Sequence, residues 1–369
     1  MRVFTALGGA IKSNTAATSG ATSARTKSPR PVQEPIQTPV FLKARTTAAC
    51  LMALAASAAL PAERAHATEV GLFAGPLGGA DIRSAYLPPT TGLYVTGIGI
   101  AGSYDVLRDD NGNSSPINAY YNGLLGGIAG MYVYPWTLGG GSLASTVNQG
   151  YLYTNERIAS RHQTDSGFTD TYSDLLIWSK YIGPLGEPSV PADADAPKLP
   201  YGLTVAGAYS MVFPDGRYKV KDLATQGHNY YVLIPNFALT YLTGPQFSFG
   251  RGTEFSARLF YDVPTKNDAN GYQSGQVVDV DWAVTERFTG FQAGVAGNYA
   301  HQTTPDQLHG VDVAPHGNYL VRATAGPVVA FDIPSLKATV KAKILADYYD
   351  RNTFGDRITG TVTLSFKLF

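Results

Sequence analysis

In the C-terminal half of this 369-residue chain, eleven ionisable residues recur mostly two or four positions apart within apolar stretches: Glu254, Arg258, Asp262, Asp279, Asp281, Arg287, Arg322, Lys337, Lys341, Lys343 and Asp347. A ring of one sign would select ions of the other sign, as charged constrictions do. Here five acids face six bases, and near-balance favours mutual pairing, since buried charge is tolerated mainly when it is paired. An ion-paired polar interior is the expectation for most of them. Other candidate chemistry is weaker. Gly97-Ile98-Gly99-Ile100-Ala101-Gly102 spells G-x-G-x-x-G, a pattern that binds pyrophosphate only between a strand and a helix, yet Ser103 to Leu107 continues as strand. Asp109-Asp110-Asn111-Gly112-Asn113 has calcium-loop residue types, but Ser114 stands where such a loop needs Gly and no closing Glu follows. His162, His228, His301, His309 and His316 lie in expected loops or at strand ends, and no G-x-S-x-G or H-E-x-x-H occurs. The residues thus nominate no catalytic, cofactor-binding or metal-ligating set.

The elements that would position those charges have a period of two. Phe255, Ala257, Leu259 and Tyr261 alternate with Glu254, Ser256, Arg258 and Asp262, interrupted by Phe260. Wound as a helix, Phe255 and Ala257 would face nearly opposite sides, so the segment is a strand. Val278, Val280, Trp282 and Val284 repeat the pattern, as do Ala338 to Tyr348 and Val362 to Leu368. Twelve strands are expected, at about 92–107, 121–136, 147–164, 171–182, 200–213, 229–243, 253–264, 274–288, 291–304, 317–332, 336–350 and 357–369. No later stretch has a long helical period, and the fold class is all-β.

Alternation does not say which face is inside. Three features place the apolar face outward, toward lipid, as in an up-and-down transmembrane barrel of the Gram-negative outer-membrane type. Many strands are longer than the usual five or six residues of soluble sheets and long enough to cross a bilayer at a tilt. The export signal at residues 41–67, the missing cysteine of the exported chain and the terminal Phe369 agree with a periplasmic route to an outer membrane. Tyr120-Tyr121, Tyr132, Tyr134, Trp136, Tyr151, Tyr153, Tyr230-Tyr231, Tyr241, Tyr261 and Tyr348-Tyr349 crowd strand ends, as headgroup-level girdles would require. A one-residue slip of the strand from Glu254 would turn three charges toward lipid, at roughly 2–4 kcal/mol each near the midplane. Short turns at Thr289-Gly290 and Ile333-Pro334-Ser335 alternate with longer polar connections, which puts the longer ones outside the cell. Gly183 to Pro200 falls on the short side and breaks that rule.

The N-terminal part differs in kind. Residues 1–40 form a Ser/Thr/Ala/Pro-rich extension, read as an over-extended start. Residues 41–67 then give a basic start, an apolar run and a small-x-small site, Ala65-His66-Ala67, with cleavage expected before Thr68. Cys50 lies in the removed run, so the exported chain has no thiol. Export leaves 20 basic against 26 acidic side chains, a net charge of −6, which argues against nucleic acid as partner. Residues 68–91 are a candidate lumen plug, and 92–369 the barrel.

The run Pro235-Asn236-Phe237-Ala238-Leu239-Thr240-Tyr241-Leu242-Thr243 and the segment from Thr253-Glu254-Phe255 to Val263-Pro264-Thr265 resemble the outer-membrane proteins associated with the meta-cleavage pathway of phenol degradation. The likeness continues through Gly271-Tyr272-Gln273-Ser274-Gly275, Asp279-Val280-Asp281-Trp282-Ala283 and Gly297-Asn298-Tyr299-Ala300-His301-Gln302, and upstream at Leu87-Pro88-Pro89-Thr90-Thr91-Gly92-Leu93-Tyr94-Val95. The resemblance implies a barrel that passes small hydrophobic or aromatic compounds, located in the bacterial outer membrane. Its partners would be membrane lipid, the barrel-assembly machinery with its periplasmic chaperones, and the substrate itself. Phe369 departs from the family pattern: it lies on the opposite parity to Val362, Leu364, Phe366 and Leu368. Two other readings remain at this point, a barrel whose outside loops adhere or bind, and an outer-membrane lipid hydrolase.

Overall fold

The period-two segments become twelve antiparallel strands: β1 (Gly92–Tyr104), β2 (Ala119–Leu138), β3 (Gly141–Ile158), β4 (Thr171–Gly183), β5 (Gly202–Phe213), β6 (Val232–Leu242), β7 (Thr253–Pro264), β8 (Val277–Arg287), β9 (Phe291–Gln302), β10 (Val321–Ile333), β11 (Ala338–Arg351) and β12 (Ile358–Lys367). The computed structural model describes residues 73–76, 78–185, 200–223, 225–313 and 319–369. The extension 1–40, the signal segment with Ala65, Ala67 and Thr68, His316 and most of 183–200 lie outside the described residues. Each strand pairs with its neighbours in sequence, and β1 pairs with β12, with Ile98 opposite Thr363. The sheet is therefore closed and leaves no unpaired ladder edge to face lipid. No helix among the described residues is long and apolar enough to cross a membrane.

Side-chain alternation gives the two surfaces. Outward positions expose Ile128 (62%), Leu259 (47%), Val295 (46%), Phe331 (49%) and Val362 (55%), while Glu254, Asp279, Asp281 and Arg322 are fully buried inside. Apolar outside and charged inside is the arrangement of a membrane barrel, the reverse of a soluble one. Tyr132, Trp136, Tyr151, Tyr153, Tyr261, Tyr348 and Tyr349 are exposed as the girdles require, but Tyr121 and Tyr230 are buried. The pairs Tyr120-Tyr121 and Tyr230-Tyr231 split by parity, so one ring of each turns inward and only the other faces out.

The third strand differs from its sequence reading. Gly139 and Gly140 take positive φ (57° and 79°) and close a two-residue hairpin that only such residues make easily. β3 therefore starts at Gly141 rather than near Val147, and Arg161–Phe168 is a separate strand that folds back on the outer end of β3, with Phe168 opposite Tyr151. Other small strands also sit at the long-loop end: Val106–Leu107 pairs Phe354–Gly355, and Tyr272–Gln273, Gln307–Leu308 and Val311–Asp312 form a second cap. At the opposite end the β2–β3, β8–β9 and β10–β11 connections are tight, and one-turn 3-10 helices occur at Pro245–Phe247 and Pro334–Leu336. β4 ends at Gly183 and β5 begins at Gly202, so the connection that breaks the short-turn rule joins them at this end, with most of it outside the described residues.

Candidate functional site: a charged wall, an uncharged wall and a segment between them

Inward charges on β7 to β11 are held by a segment that precedes β1. Gly78 and Ala80 donate their backbone N–H groups to the two carboxyl oxygens of Asp281, each at 2.7 Å. The Arg83 N–H donates to Glu254 at 2.7 Å, and its guanidinium grips Asp332 with two parallel bonds of 2.9 and 2.8 Å. Ala85 N–H donates to Thr240, and the Ala85 carbonyl accepts from Ser179 at 2.5 Å. From the wall, Lys341 and Lys343 donate to opposite oxygens of Asp81, at 2.7 and 2.5 Å. Residues 78–85 thus lie across the barrel interior, tied to β4, β6, β7, β8, β10 and β11.

Electrostatics keep Asp81 ionised. Burial works against its charge, but the two ammonium groups outweigh that effect and hold the carboxyl below its ordinary range. For Tyr86, burial first and then the Glu254 carboxylate push the phenol well above its usual value, so it stays neutral and cannot contribute charge.

Most of the remaining wall charges pair among themselves; Asp262 is the exception, with neither carboxyl oxygen hydrogen-bonded among the described residues. Arg287 donates to Glu254 through Nε at 2.9 Å and again through its terminal nitrogen. Arg258 donates to Asp174 at 2.7 Å and to the Asn236 side-chain oxygen. Arg322, buried at the long-loop end, donates to Thr353 and the Phe354 carbonyl and lies 3.6 Å from Asp350. Asp347 accepts the Arg357 backbone N–H at 3.0 Å and lies 3.2 Å from its Nε. Asn298 bridges Asp279 and Asp281. Asp262 is buried beneath the segment: a side chain added at Gly75 would begin 1.8 Å from its Oδ2, so only glycine allows that approach.

Ten of the eleven nominated charges are therefore on inward-facing strand positions. Lys337 is the exception: it caps the Pro334–Leu336 turn with positive φ (46°) and is exposed at the short-turn rim. Its alternation with Ala338 was fortuitous, because the strand begins only after the turn. The sequence reading missed Asp81, Arg83, Asp174, Asp332 and Arg357. Asp81 and Arg83 lie where no period exists to assign a face; Asp174 and Asp332 sit inside strands and had the same alternation signal. The G-x-G-x-x-G run is within β1, and Asp109 Oδ1 accepts the N–H groups of Asn111 and Asn113, closing a turn. His228 pairs Asp170 at 2.9 Å near the long-loop mouth.

Opposite the charged wall, Lys367 at the short-turn end of β12 lies over the Tyr94 ring and donates to Thr90, but the inward residues along most of β12, β1, β2 and mid-β3 carry no charge: Thr361, Thr363, Ser365, Thr96, Ile98, Ile100, Ala129, Thr146 and Asn148. With the segment they enclose a cavity of about 710 Å³. Its lining reaches from Gln226 and His228 near the long-loop end to Thr339 near the short turns. A space bounded by hydroxyls, aliphatic side chains and already paired charges suits small solutes of low charge.

A closed twelve-strand barrel, apolar outside and polar within, with an N-terminal segment seated in it, defines an outer-membrane β-barrel. The chain belongs to the family described as "Putative MetA-pathway of phenol degradation", whose profile matches residues 104–358. Among solved structures it is similar to an outer membrane channel from Pseudomonas putida F1, at 10% identity and a TM-score of 0.63, over 78% of this chain and 98% of that one. It is also similar to the NanC porin, at 12% identity and a TM-score of 0.35 over 74% and 100%, and to the translocator domain of the autotransporter NalP from Neisseria meningitidis, at 11% and 0.40 over 76% and 89%. No curated protein sequence matches the chain.

Proposed function

We propose that this barrel is an outer-membrane channel for the uptake of small hydrophobic or aromatic compounds, with residues 73–87 acting as a lumen plug that keeps the passage narrow. The observation that carries the reading is the passage left between the plug and the β12–β1–β2–β3 wall, bounded on that side by hydroxyl and aliphatic side chains and on the other by charges such as Lys341, Lys343 and Arg258 that already have partners. A wide, water-filled pore lined by one sign of charge would serve hydrophilic ions; here the charges are spent on one another and on the plug. Membership of a phenol-degradation family supports aromatic growth substrates as cargo, and the Pseudomonas putida neighbour is itself described as an outer membrane channel. The role is transport rather than catalysis.

The test is uptake of radiolabelled phenol and toluene by cells with and without the gene, together with planar-bilayer conductance of the purified barrel. The reading expects slower uptake on deletion, restored by complementation, and a small, steady conductance. Uptake unchanged on deletion, with no conductance above the lipid baseline, would overturn it.

A further inference from the structure

Resting on the channel reading, we propose that Asp81 is a stand-in for the cargo's own carboxylate: an aromatic or aliphatic monocarboxylic acid entering the cavity takes Lys341 and Lys343 from Asp81 and so releases the plug.

Asp81 is the plug's one carboxylate among residues 78–91, and it is seated between two wall ammonium groups, at 2.7 Å from Lys341 and 2.5 Å from Lys343. Both lysines also line the open cavity, and Lys341 keeps 18% of its side-chain surface accessible, so a solute can reach its ammonium without first moving the plug. The adjoining strand completes an oxyanion cradle. In the β11–β12 register Lys341 faces Thr363, and Lys343 faces Thr361, and both hydroxyl residues line the same cavity. Beyond them Ile98 and Ile100 offer an apolar surface for the body of the molecule. Two ammonium groups, flanking hydroxyls and an aliphatic floor match an apolar monocarboxylate better than a phenol, which brings no carboxylate to trade.

The exchange conserves charge. One carboxylate leaves the lysine pair as another arrives, so no buried cation is left alone. The displaced Asp81 carboxylate turns with the loosened segment toward the open cavity, where water solvates it. Neither charge is left buried without a partner, the state that makes breaking such a pair costly. The plug has no regular secondary structure around Asp81 to resist the change. Its other anchors, at Asp281, Glu254 and Asp332, limit the motion to a loosening that must spread along the segment.

The experiment uses the full chain folded in detergent, with tryptic cleavage after Arg83 as the readout and 4-hydroxybenzoate or 4-hydroxybenzyl alcohol as matched probes. The expected result is cleavage accelerated about tenfold by the acid and unaffected by the alcohol, a difference of one order in the opening equilibrium. Asp81→Asn is cleaved rapidly with no ligand, and Lys341→Gln abolishes the response to the acid. Equal acceleration by acid and alcohol, or an acid response that survives in both Lys341→Gln and Lys343→Gln, would overturn the proposal. Heat-modifiable migration on gels verifies that each variant is folded, and if neither lysine variant folds, the acid-to-alcohol comparison on the unmodified chain decides. Phenol uptake separates the two readings: intact uptake without carboxylate-dependent cleavage removes the latch alone, whereas absent uptake removes the channel.

Discussion

The two halves of this barrel solve the same problem differently. On β7 to β11 the interior is crowded with ionisable groups, most of which have a partner, and several of those partners come from the segment before β1; Asp262, buried with neither oxygen hydrogen-bonded among the described residues, is the exception. On β12, β1, β2 and mid-β3 the interior is mostly threonine, serine, alanine, isoleucine and asparagine, which bring no charge that needs pairing and leave space. The contrast shows what positions the cavity: residues 78–85 lie where their donors and carboxylate find partners, and the cavity is what the less demanding wall leaves open. Exposed apolar residues belt both halves, so the difference is confined to the inner surface.

Breaking the charged wall has the largest expected effect. Arg287→Ala leaves the fully buried Glu254 without its guanidinium, with only the Arg83 N–H and the Ser256 hydroxyl to share its charge. Removing one partner of such a pair costs about 3–5 kcal/mol, read as a lowered midpoint in urea-driven unfolding from lipid vesicles. Next comes the outer surface: Leu259→Arg, one residue from the inward Arg258, puts a charge into lipid at about 2–4 kcal/mol, less if it sits near a headgroup. The same unfolding measurement should then show Arg258→Leu and Leu259→Arg both destabilising, for opposite reasons.

A smaller effect comes from pH. Because the Asp81 carboxyl titrates below the ordinary 3.8 when docked, its contribution to seating the plug is complete above that value and is lost as pH falls through the depressed one. Bilayer conductance should therefore be constant from pH 7 to 5 and rise toward pH 3, and Asp81→Asn should abolish that component of the rise. Ile98→Ala on the uncharged wall should change stability least, by less than about 1 kcal/mol, since the side chain borders a cavity rather than a packed core. Its mark would be a wider passage, seen as higher conductance with an unchanged unfolding midpoint.

How much of this could be read in the sequence follows the same division. Twelve strands and their sidedness were legible because lipid imposes a strict period of two on residues such as Phe255, Leu259, Val362 and Leu364. The hairpin at Gly139-Gly140 was missed, since its glycines read as a broad loop and not as a turn of two residues. Of the charges, those on strongly alternating strands were assigned to the inner face, and Lys337 was misplaced because a turn happened to continue the alternation. The plug's contacts were out of reach of periodicity: Gly78, Ala80 and Ala85 act through their backbone, and which carboxylate accepts from a backbone N–H is set by the tertiary path. The uncharged wall left a weak trace as well, since Thr361, Thr363 and Ser365 alternate with apolar residues and only Lys367, at the strand's end, marks the inner face by a charge.

The division of the lumen is tested most directly by single-channel conductance of the full chain against a variant lacking residues 73–87, each verified as a folded barrel by heat-modifiable migration. If that segment occupies the charged half, its removal opens the lumen beyond the narrow passage and conductance rises several-fold. Conductance unchanged by the deletion would mean that the segment does not limit the pore, and the account of the two walls would fail.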